Sequence, residues 1–414
     1  MINIAVLGHG VVGSGVVEIL QKNSESIEKK SGKEINVKYI LDLKDFNELS
    51  YKDKFVKDFN TIEKDSSVKI VVECMGGLKP AYEFVERCLK SGKSVVTSNK
   101  ELVAEKGAYL LQIAKENNLN FLFEASVGGG IPIIRPLTQC LAANEVYEIA
   151  GILNGTTNFI LTKMIRENMS FDTALKMAQE LGYAEKDPTD DIEGFDACRK
   201  ICILASLAFE NHVYPDEVHT EGITKITLED AYYASNWGGA IKLLGRVKKL
   251  ENGKVNIIVS PAFVHKSGQL ANVDDVFNAI LVRGDAIGDV VFYGRGAGKF
   301  PTASAVVGDV IDCVKHINSR KFLYWKDAVK DYVENYKEEE IKMYIRMYSE
   351  NKNTALNQIS DIYKDITILS YENENQNEFA IITPLLKEKE IDKKIDEINS
   401  NDIKILGKIR VLDY

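Results

Sequence analysis

The sequence has few of the features that mark secreted, metal-binding or membrane proteins. Its six cysteines form no C-x-x-C pair, and its five histidines lie at unrelated positions. Scattered cysteines of this kind are typical of reduced thiols, and the histidine spacing indicates no zinc site. No apolar run is long enough to span a bilayer, and no basic, signal-like segment precedes the first strand. We therefore expect a cytoplasmic protein with no membrane partner.

The chain also lacks the charge and the motifs of several functional classes. The formal net charge is −9, and the two signs are interspersed, which argues against a nucleic-acid partner. The sequence contains no G-x-S-x-G elbow, and no cysteine lies in a reactive turn between a strand and a helix. These absences argue against acyl-enzyme chemistry.

The 414 residues, 45% of them apolar, are enough for about three domains. Strands alternate with helices in the first part of the chain, which predicts an α/β fold with a Rossmann-type, doubly wound parallel sheet. We predict that residues 1–130 form this nucleotide-binding domain and that residues 300–318 complete it. Residues 131–299 then form an α+β substrate domain.

The last part of the chain has a different order of predicted helices and strands. Residues 319–340 are highly charged with aromatic residues interspersed, which predicts a linker helix. Residues 341–414 follow the order βαββαβ, which is the ferredoxin-like arrangement.

A glycine motif directly follows the first strand. Gly8, Gly10 and Gly13 form G-x-G-x-x-G between a buried strand and a helix. The first glycine permits a tight turn, the second lets the backbone approach a pyrophosphate, and the third lets helix and strand pack closely. The pattern predicts dinucleotide binding, with a packing turn as the alternative. Asp42, after the second strand, is placed to bind an adenosine ribose, whereas Lys44 could meet a 2′-phosphate.

Lys100 follows the short apolar strand SVVT in the string TSNKE. The carboxyl ends of parallel strands line the ligand crevice of an open α/β sheet, so we expect this lysine in the cofactor cleft. An exposed lysine at a helix start is the alternative, but the helix dipole opposes a cation at that end.

The most informative segment is residues 182–200, GYAEKDPTDDIEGFDACRK. Asp196 and Lys200 lie four residues apart, so they share one face of a helix that soon becomes almost wholly apolar. Burial disfavours a charged ammonium and lowers the pKa of a lysine toward the range useful for proton transfer. We therefore expect the chemistry here.

The loop before this helix is rich in acids, among them Glu185, Asp187, Asp190 and Asp191. They are too many for helix caps alone, so some should bind a positively charged group, and a substrate α-ammonium fits. A solvated acidic loop is the alternative interpretation.

Two further segments are candidate ligand loops. Glu124 opens the string EASVGGGIPI, where its carboxylate and the loop carbonyls could hold a monovalent cation. The same glycines could instead give a substrate close access to the backbone. Asn154 and Thr156 belong to NGTTN, whose short polar side chains suit a small polar ligand or cap the following helix.

Together these motifs resemble the homoserine dehydrogenase family. The strings that carry the resemblance, in family order, are GHGVVGSG, TSNKELVA, FEASVGGGIPIIRPL, LNGTTNFI, GYAEKDPTDDIEGFDACRK and GAGKFPTASAVVGDV, within residues 1–317. The family reduces L-aspartate 4-semialdehyde to L-homoserine with NAD(P)H in the biosynthesis of threonine, methionine and isoleucine. The resemblance therefore implies a small-molecule substrate and a homodimer, or higher homo-oligomer, joined through the substrate domain.

The resemblance also implies roles for individual residues. Lys200 is implied as the acid/base that protonates the developing alkoxide, and Lys100 lies between nicotinamide and substrate. The implied substrate-binding residues are Glu185, at the substrate amino group, with Asp191, Asp196, Gly182, Asn154 and Thr156. The implied cofactor-binding residues are Gly8, Gly10, Val11, Val12, Gly13, Asp42, Lys100, Gly296 and Gly298. The family's structural sodium site matches Glu124 with the carbonyls of Val127, Gly129 and Ile131.

Two features depart from the family pattern. NADP-using members tend to carry an arginine just before the aspartate that follows the second strand. Leu41 stands there in this chain, which favours NAD over NADP. Residues 341–414 resemble an ACT domain, the family's usual amino-acid sensor, but residues 349–359 (SENKNTALNQI) lack the glycine and proline of its effector turn. Such a tail could dimerise without binding threonine or another effector.

Two alternatives compete with a monofunctional homoserine dehydrogenase. An aspartate semialdehyde dehydrogenase on the same scaffold would need a nucleophilic cysteine, and none is suitably placed. A non-catalytic sensor of dinucleotide and amino acid would leave the presence of both Lys100 and Lys200 unexplained. We therefore expect an enzyme.

Overall fold

The computed structural model describes residues 1–372, 374–399 and 402–414. The strands of its first part are β1 (Ile2–Leu7), β2 (Ile35–Leu41), β3 (Phe55–Val56), β4 (Val68–Glu73), β5 (Ser94–Thr97) and β6 (Phe121–Leu122). The helices are α1 (Val11–Lys22), α2 (Ser24–Ser31), α3 (Phe59–Lys64), α4 (Ala81–Lys90) and α5 (Lys100–Glu116). The strands pair in parallel in the order β3-β2-β1-β4-β5-β6. Apolar runs such as IVV in β4 are buried on both faces, as expected where helices cover a parallel sheet.

The middle of the chain, which we call the middle domain, builds a mixed sheet with helices on it. Its strands are β7 (Val146–Ile152), β8 (His219–Thr220), β9 (Gly239–Lys249), β10 (Val255–His265), β11 (Phe277–Gly284) and β12 (Gly288–Arg295). Its helices are α6 (Gly155–Glu167), α7 (Phe171–Glu180), α8 (Thr189–Ile192), α9 (Phe195–Phe209), α10 (Leu228–Trp237) and α11 (Lys299–Lys315). Helix α9 is buried between α5 and β9, and α11 returns to pack against α1. The domain boundaries themselves stay a prediction.

The tail contains β13 (Glu340–Tyr348), α12 (Lys352–Tyr363), β14 (Thr367–Leu369), β15 (Glu378–Ile382), β16 (Leu386–Lys387), α13 (Glu388–Asn399) and β17 (Lys404–Leu412). Its strands lie in the order β17-β13-β15-β14, and β16 adds a short pairing to β13. β17 also pairs in parallel with β10 of the middle sheet. A continuous sheet therefore runs from β12 to β14 in the order β12-β11-β7-β9-β10-β17-β13-β15-β14.

The predicted linker helix at residues 319–340 is wrong. Within this segment, all of which is described, the helical structure is limited to the short turn Tyr336–Glu338. The backbone runs instead as an extended strap: Lys326 pairs with the residues after α9, and Val255 in β10 donates to the strap. Trp325 is buried at 1% exposure. The charges suggested a solvated helix, but buried aromatic side chains and backbone partners in the middle domain hold the segment extended.

In the part of the chain that the structure describes, no helix combines the length and the apolar character needed to cross a bilayer. Over the same residues, no group of three or more His, Cys, Asp or Glu side chains is arranged to hold a metal ion. The six cysteines are free thiols.

Candidate active site

A cavity of about 790 Å³ lies between the end of β5, the start of α6, the loop before α9 and the loop after β12. We call this cavity the cleft. The structure brings these predicted residues to its walls: Lys100, Asn154, Thr156, Gly182, Glu185, Asp191, Asp196, Lys200, Gly296 and Gly298. The glycine motif, Asp42 and Glu124 do not belong to these walls.

Asp196 is the buried centre of the cleft. Gly194 turns the chain with a φ of +84°, and Asp196 follows in the first turn of α9, where it is 2% exposed. Its carboxylate accepts hydrogen bonds from Lys100 Nζ, from Lys200 Nζ at 2.7 Å and from Asn154 Nδ2 at 2.8 Å. Neighbouring ammonium groups lower the pKa of Asp196 against the opposing effect of burial, so the carboxylate stays charged.

Lys200 lies one turn further along α9 and is 8% exposed. Its Nζ donates to Asp196 and to the carbonyl oxygen of Leu153, at 2.8 Å, at the end of β7. Burial lowers the pKa of Lys200 and the nearby Lys100 adds to the effect, while Asp196 opposes it. The predicted combination of a buried lysine and a carboxylate four residues before it is therefore present, with the predicted direction of the pKa shift.

Lys100 occupies the first position of α5, immediately after Asn99, whose side chain caps the helix. Burial disfavours its charge, but Asp196 and Asp191 outweigh burial and raise the pKa of Lys100. The two lysines that share Asp196 thus differ: the charged form of Lys100 is stabilised, whereas Lys200 loses its proton more easily.

Asn154 caps α6, as one of its two interpretations predicted, and it also contacts two carboxylates of the cleft. Its Oδ1 accepts the amide hydrogen of Thr157 at 2.8 Å and caps α6, and its Nδ2 donates to Asp191 at 2.6 Å as well as to Asp196. Burial raises the pKa of Asp191, and the negative charge of Asp196 adds to the effect. Asn154 therefore spaces two carboxylates that would otherwise repel each other.

The outer wall of the cleft is polar and open to solvent. Gly182 turns the chain after α7 with a φ of +73°, and Glu185 is exposed at the rim. Thr156 Oγ1 donates to the carbonyl of Tyr183 at 2.7 Å, so this hydroxyl anchors the rim loop. Arg295 and Val276 also line the cleft, and neither was among the predicted site residues.

The glycine motif has the geometry that a pyrophosphate needs. Gly8 has a φ of +90°, and a Cβ at Gly13 would lie 1.9 Å from the carbonyl oxygen of Gly8, so both positions require glycine. Gly10 is the N-cap of α1 and has open space around it, and Val11 behind it is 67% exposed. The first amides of α1 are therefore open to an anion.

Asp42 closes the edge of this turn. Its Oδ2 accepts the amide hydrogen of His9 at 2.7 Å, and its Oδ1 accepts that of Lys44 at 2.9 Å. Each carboxylate oxygen keeps lone pairs for a further donor. Lys57, which contacts the carbonyls of Leu43 and Lys44, holds the loop that follows.

Comparison with known proteins decides the family. A family model described as homoserine dehydrogenase matches residues 132–311, and one described as its NAD binding domain matches residues 8–124. A curated homoserine dehydrogenase from Lactococcus lactis is 40% identical over 320 residues, which make up 76% of this chain and 74% of that protein. The chain belongs to the homoserine dehydrogenase family.

Solved structures of homoserine dehydrogenases agree. One from Thiobacillus denitrificans matches with a TM-score of 0.92 and 36% identity, over 100% of this chain and 98% of that one. A hyperthermophilic archaeal homoserine dehydrogenase in complex with NADPH matches with a TM-score of 0.64 and 30% identity, over 75% of this chain and 97% of that one. The predicted family and enzyme class are confirmed, and the non-catalytic sensor receives no support.

Glu124 is the residue expected at the sodium site of the homoserine dehydrogenase family, but its side chain binds backbone amides. The carboxylate accepts amide hydrogens from Ile133 at 2.6 Å, Ile134 at 2.8 Å and Arg135 at 2.9 Å. Arg135 also pairs through its guanidinium with Glu124 and with Asp309 of α11. Because N–H donors surround the carboxylate, backbone carbonyls are the remaining ligands that the loop offers a cation.

Glu73, the last residue of β4, is fully buried and was not among the predicted site residues. Its carboxylate accepts hydrogen bonds from Met75 N at 2.7 Å and from Thr97 Oγ1 at 2.6 Å, and Thr97 Oγ1 accepts from Asn99 N at 2.9 Å. This chain of bonds positions the start of α5 and therefore Lys100. The available signal was an acid at the carboxyl end of an otherwise apolar strand, the edge where ligands bind.

Proposed function

We propose that the cleft catalyses the reversible, nicotinamide-dependent reduction of L-aspartate 4-semialdehyde to L-homoserine, with Lys200 as the group that exchanges the proton. The observation that carries this proposal is the shared carboxylate of Asp196, which holds the Nζ atoms of Lys200 and Lys100 together in the cleft. The substrate named here is the one implied by the family.

The residues of the cleft suit a carbonyl that gains negative charge. When bound, the nicotinamide supplies or accepts the hydride. Lys200 donates a proton to the carbonyl oxygen in the direction of reduction and takes it back in the direction of oxidation. Lys100 remains a cation and stabilises the developing alkoxide, while Asp196 keeps both ammonium groups in place.

The acids of the outer wall suit the substrate amino group. Glu185 is exposed at the rim and is free to turn toward an α-ammonium, and Asp191 lies deeper beside Asn154. In our proposal, Glu185 binds the α-ammonium, and Asp191 with Asp196 fixes the carbonyl end near Lys200. Thr156 and Gly182 shape the loop that carries Glu185.

The dinucleotide would bind along the Gly8–Gly13 turn and under Gly296 and Gly298. Gly10, Val11 and Val12 begin α1 and offer their amides to the pyrophosphate. Asp42 presents a negative charge where a 2′-phosphate would lie, so we propose that NAD is preferred over NADP. The archaeal relative in complex with NADPH shows that another protein of this fold binds the phosphorylated form.

We also propose three features that the family suggests. A monovalent cation, Na⁺, would be held by the carbonyl oxygens of Val127, Gly129 and Ile131, in a loop where Gly128 and Gly129 have φ values of +70° and +55°. The chain would form a homodimer, or a higher homo-oligomer, through its middle domain, in the cytoplasm. The tail would be an ACT-type domain that does not bind threonine, since its SENKN turn lacks the glycine and proline of an effector turn.

The test of this function is a direct assay. Purified protein is supplied with L-homoserine and either NAD or NADP, and the absorbance of the reduced nicotinamide is followed. We expect turnover, which Lys200→Ala lowers by about 10²–10⁴-fold while cofactor affinity is kept. Lys186, which is exposed beside Glu185, provides the control, and Lys186→Ala should leave turnover unchanged. Absence of turnover with either dinucleotide, despite binding, would contradict the proposal.

A further inference from the structure

Asn278 is the second residue of β11 and is 0% exposed. Among the residues that the structure describes, neither its amide nitrogen nor its amide oxygen has a hydrogen-bond partner. A buried amide is costly to leave unpaired, because it has lost the hydrogen bonds that water would make. We therefore expect the Asn278 amide to gain hydrogen-bond partners in another state of the protein.

The side chain of Asn278 lies directly behind the cleft. A Cβ built on Gly296 would lie 2.1 Å from its Nδ2 and 2.6 Å from its Oδ1, so the amide is in contact with the backbone of the loop after β12. A Cβ on Gly155, the first residue of α6, would lie 3.5 Å from Oδ1. Gly296 and Gly155 both line the cleft. The unpaired amide thus faces the backbone that forms the cleft wall.

The loop after β12, residues 296–298, is held on both sides. On one side is Asn278, and on the other is Gly129, where a Cβ would lie 2.3 Å from the carbonyl oxygen of Gly296. The loop then leads into α11, whose first residue, Lys299, pairs with Glu18 on α1 at 2.5 Å. It therefore joins the helix that begins at the glycine motif to the middle domain.

We propose that Asn278 is a positioning residue that holds residues 296–298 over the bound dinucleotide. A small shift of this loop brings its backbone amides and carbonyls into hydrogen-bonding geometry with the unpaired amide. The dinucleotide drives the shift, because it fills the space between α1 and the loop. The hydrogen bonds of Asn278 are then gained in the bound state and contribute to affinity. The inference rests on the proposed function for the identity of the ligand.

The test compares ligand-free stability with cofactor affinity. Asn278→Leu keeps the branched shape of the side chain and removes both polar atoms. We expect the melting temperature of the ligand-free protein to stay unchanged or to rise. We expect the Kd for NADH, measured by nicotinamide fluorescence, to increase about tenfold, which corresponds to about 1.4 kcal/mol. A merely structural residue would not move these two readouts in this combination.

Asn144, in the loop before β7, provides a control away from the cleft. Its Oδ1 is also buried without a partner in the described residues, and it lies against Gly284 at the other end of β11. Asn144→Leu should leave the Kd for NADH unchanged, and it should lower the melting temperature slightly, because the Nδ2 of Asn144 donates to the carbonyl of Leu141 at 3.2 Å.

An unchanged Kd in Asn278→Leu would overturn the proposal. If that variant does not fold, Asn278→Ser, which loses the amide but adds no bulk, must weaken NADH binding, and an unchanged Kd there overturns the proposal equally. The outcome is separate from the proposed function, because a wild-type protein that binds NADH but does not oxidise L-homoserine would fail the function and leave this test intact.

Discussion

At the scale of single residues, the two lysines of the cleft differ because their surroundings balance burial and charge differently. Both contact Asp196. For Lys200, burial outweighs the carboxylates and lowers the pKa, whereas for Lys100 the carboxylates outweigh burial and raise it. A group that acts as both acid and base must be able to change protonation, so we assign the proton transfer of the proposed mechanism to Lys200.

This assignment predicts opposite pH profiles for the two directions of the reaction. Oxidation of L-homoserine needs the neutral amine, so its kcat should rise with pH through a pKa below the ordinary 10.5 of lysine. Reduction of the aldehyde needs the ammonium, so its kcat should fall over the same range. Lys200→Ala should lower both rates by about 10²–10⁴-fold. The assignment would be refuted if the pH profiles of kcat for Lys200→Ala kept the wild-type shape in both directions.

Asp42 predicts the choice of dinucleotide. Asp42→Asn keeps the shape of the side chain and removes the charge that a 2′-phosphate would meet. We expect the ratio of kcat/KM for NAD to that for NADP to fall about tenfold, the effect of about 1.4 kcal/mol of lost repulsion. Asp45→Asn serves as the control, because Asp45 lies in the same loop, is 77% exposed and pairs with Lys57. Equal ratios in wild type and Asp42→Asn would rule out the role of this carboxylate.

The site could be predicted from the sequence where its residues are local. Asp196 and Lys200 share a helix, and the spacing of four alone placed them together. Glu73 and Asn278 could not be found in this way, since their meaning depends on the register of Glu73 beside Thr97 and of Asn278 beside Gly294. Such register is set by long-range pairing, which no local pattern in one sequence contains.

At the scale of secondary-structure elements, the periodicity of apolar residues predicted the helices and strands that are buried in a regular pattern, such as β1, α1 and α9. It failed for residues 319–340, where charged residues alternate with aromatic ones. Leu323, Trp325 and Tyr332 are buried there at 7%, 1% and 8% exposure. The partners that make burial favourable lie in the middle domain, so local propensity was overridden by tertiary contacts.

Helix α11 carries a prediction about stability and pH. Asp309 is buried against Arg135, and burial raises its pKa from 3.8 to about 7, with Glu124 adding to the effect and Arg135 opposing it. The folded state therefore binds a proton that the unfolded state has released. This contribution to stability is complete below about pH 4 and is lost as pH rises through 7, about 1.4 kcal/mol of it between pH 6 and pH 8.

Asp309→Asn should remove this pH dependence. Urea unfolding at pH 6 and at pH 8 measures it, and the difference between the two free energies should shrink by the same amount in the variant. Asp285→Asn is the control, because Asp285 is exposed and likewise accepts a backbone amide hydrogen, from Glu145 at 2.9 Å. A variant with the full wild-type difference would show that another group is responsible.

At the scale of the whole molecule, β17 makes the tail part of the middle domain. Ala262, Phe263 and Val264 of β10 pair with residues 410–412 of β17. Tyr414 extends the contact, donating its hydroxyl to Glu148 of β7 at 2.5 Å. Because a parallel pairing and buried polar contacts join the two units, we expect them to unfold together rather than separately.

Arg410 is the residue that tests this coupling. Its side chain is 5% exposed and donates to Glu388 of the tail at 2.6 Å and to Glu221 of the middle domain at 2.9 Å. Arg410→Ala leaves Glu388, 3% exposed, as a buried charge without its cation. We expect the free energy of unfolding to fall by about 3–5 kcal/mol, in a single transition for both units.

Lys408, two residues earlier in β17, is the matched control. It pairs with Asp392 at 2.6 Å but is 41% exposed, so Lys408→Ala should cost at most about 1 kcal/mol. Urea unfolding followed by tryptophan fluorescence and by circular dichroism compares the variants, since Trp237 and Trp325 lie outside the tail. The coupling would be refuted if Arg410→Ala lowered the free energy of unfolding no more than Lys408→Ala does. It would also be refuted if the fluorescence and circular dichroism transitions of the wild type separated, because the tail would then unfold independently of the rest of the enzyme.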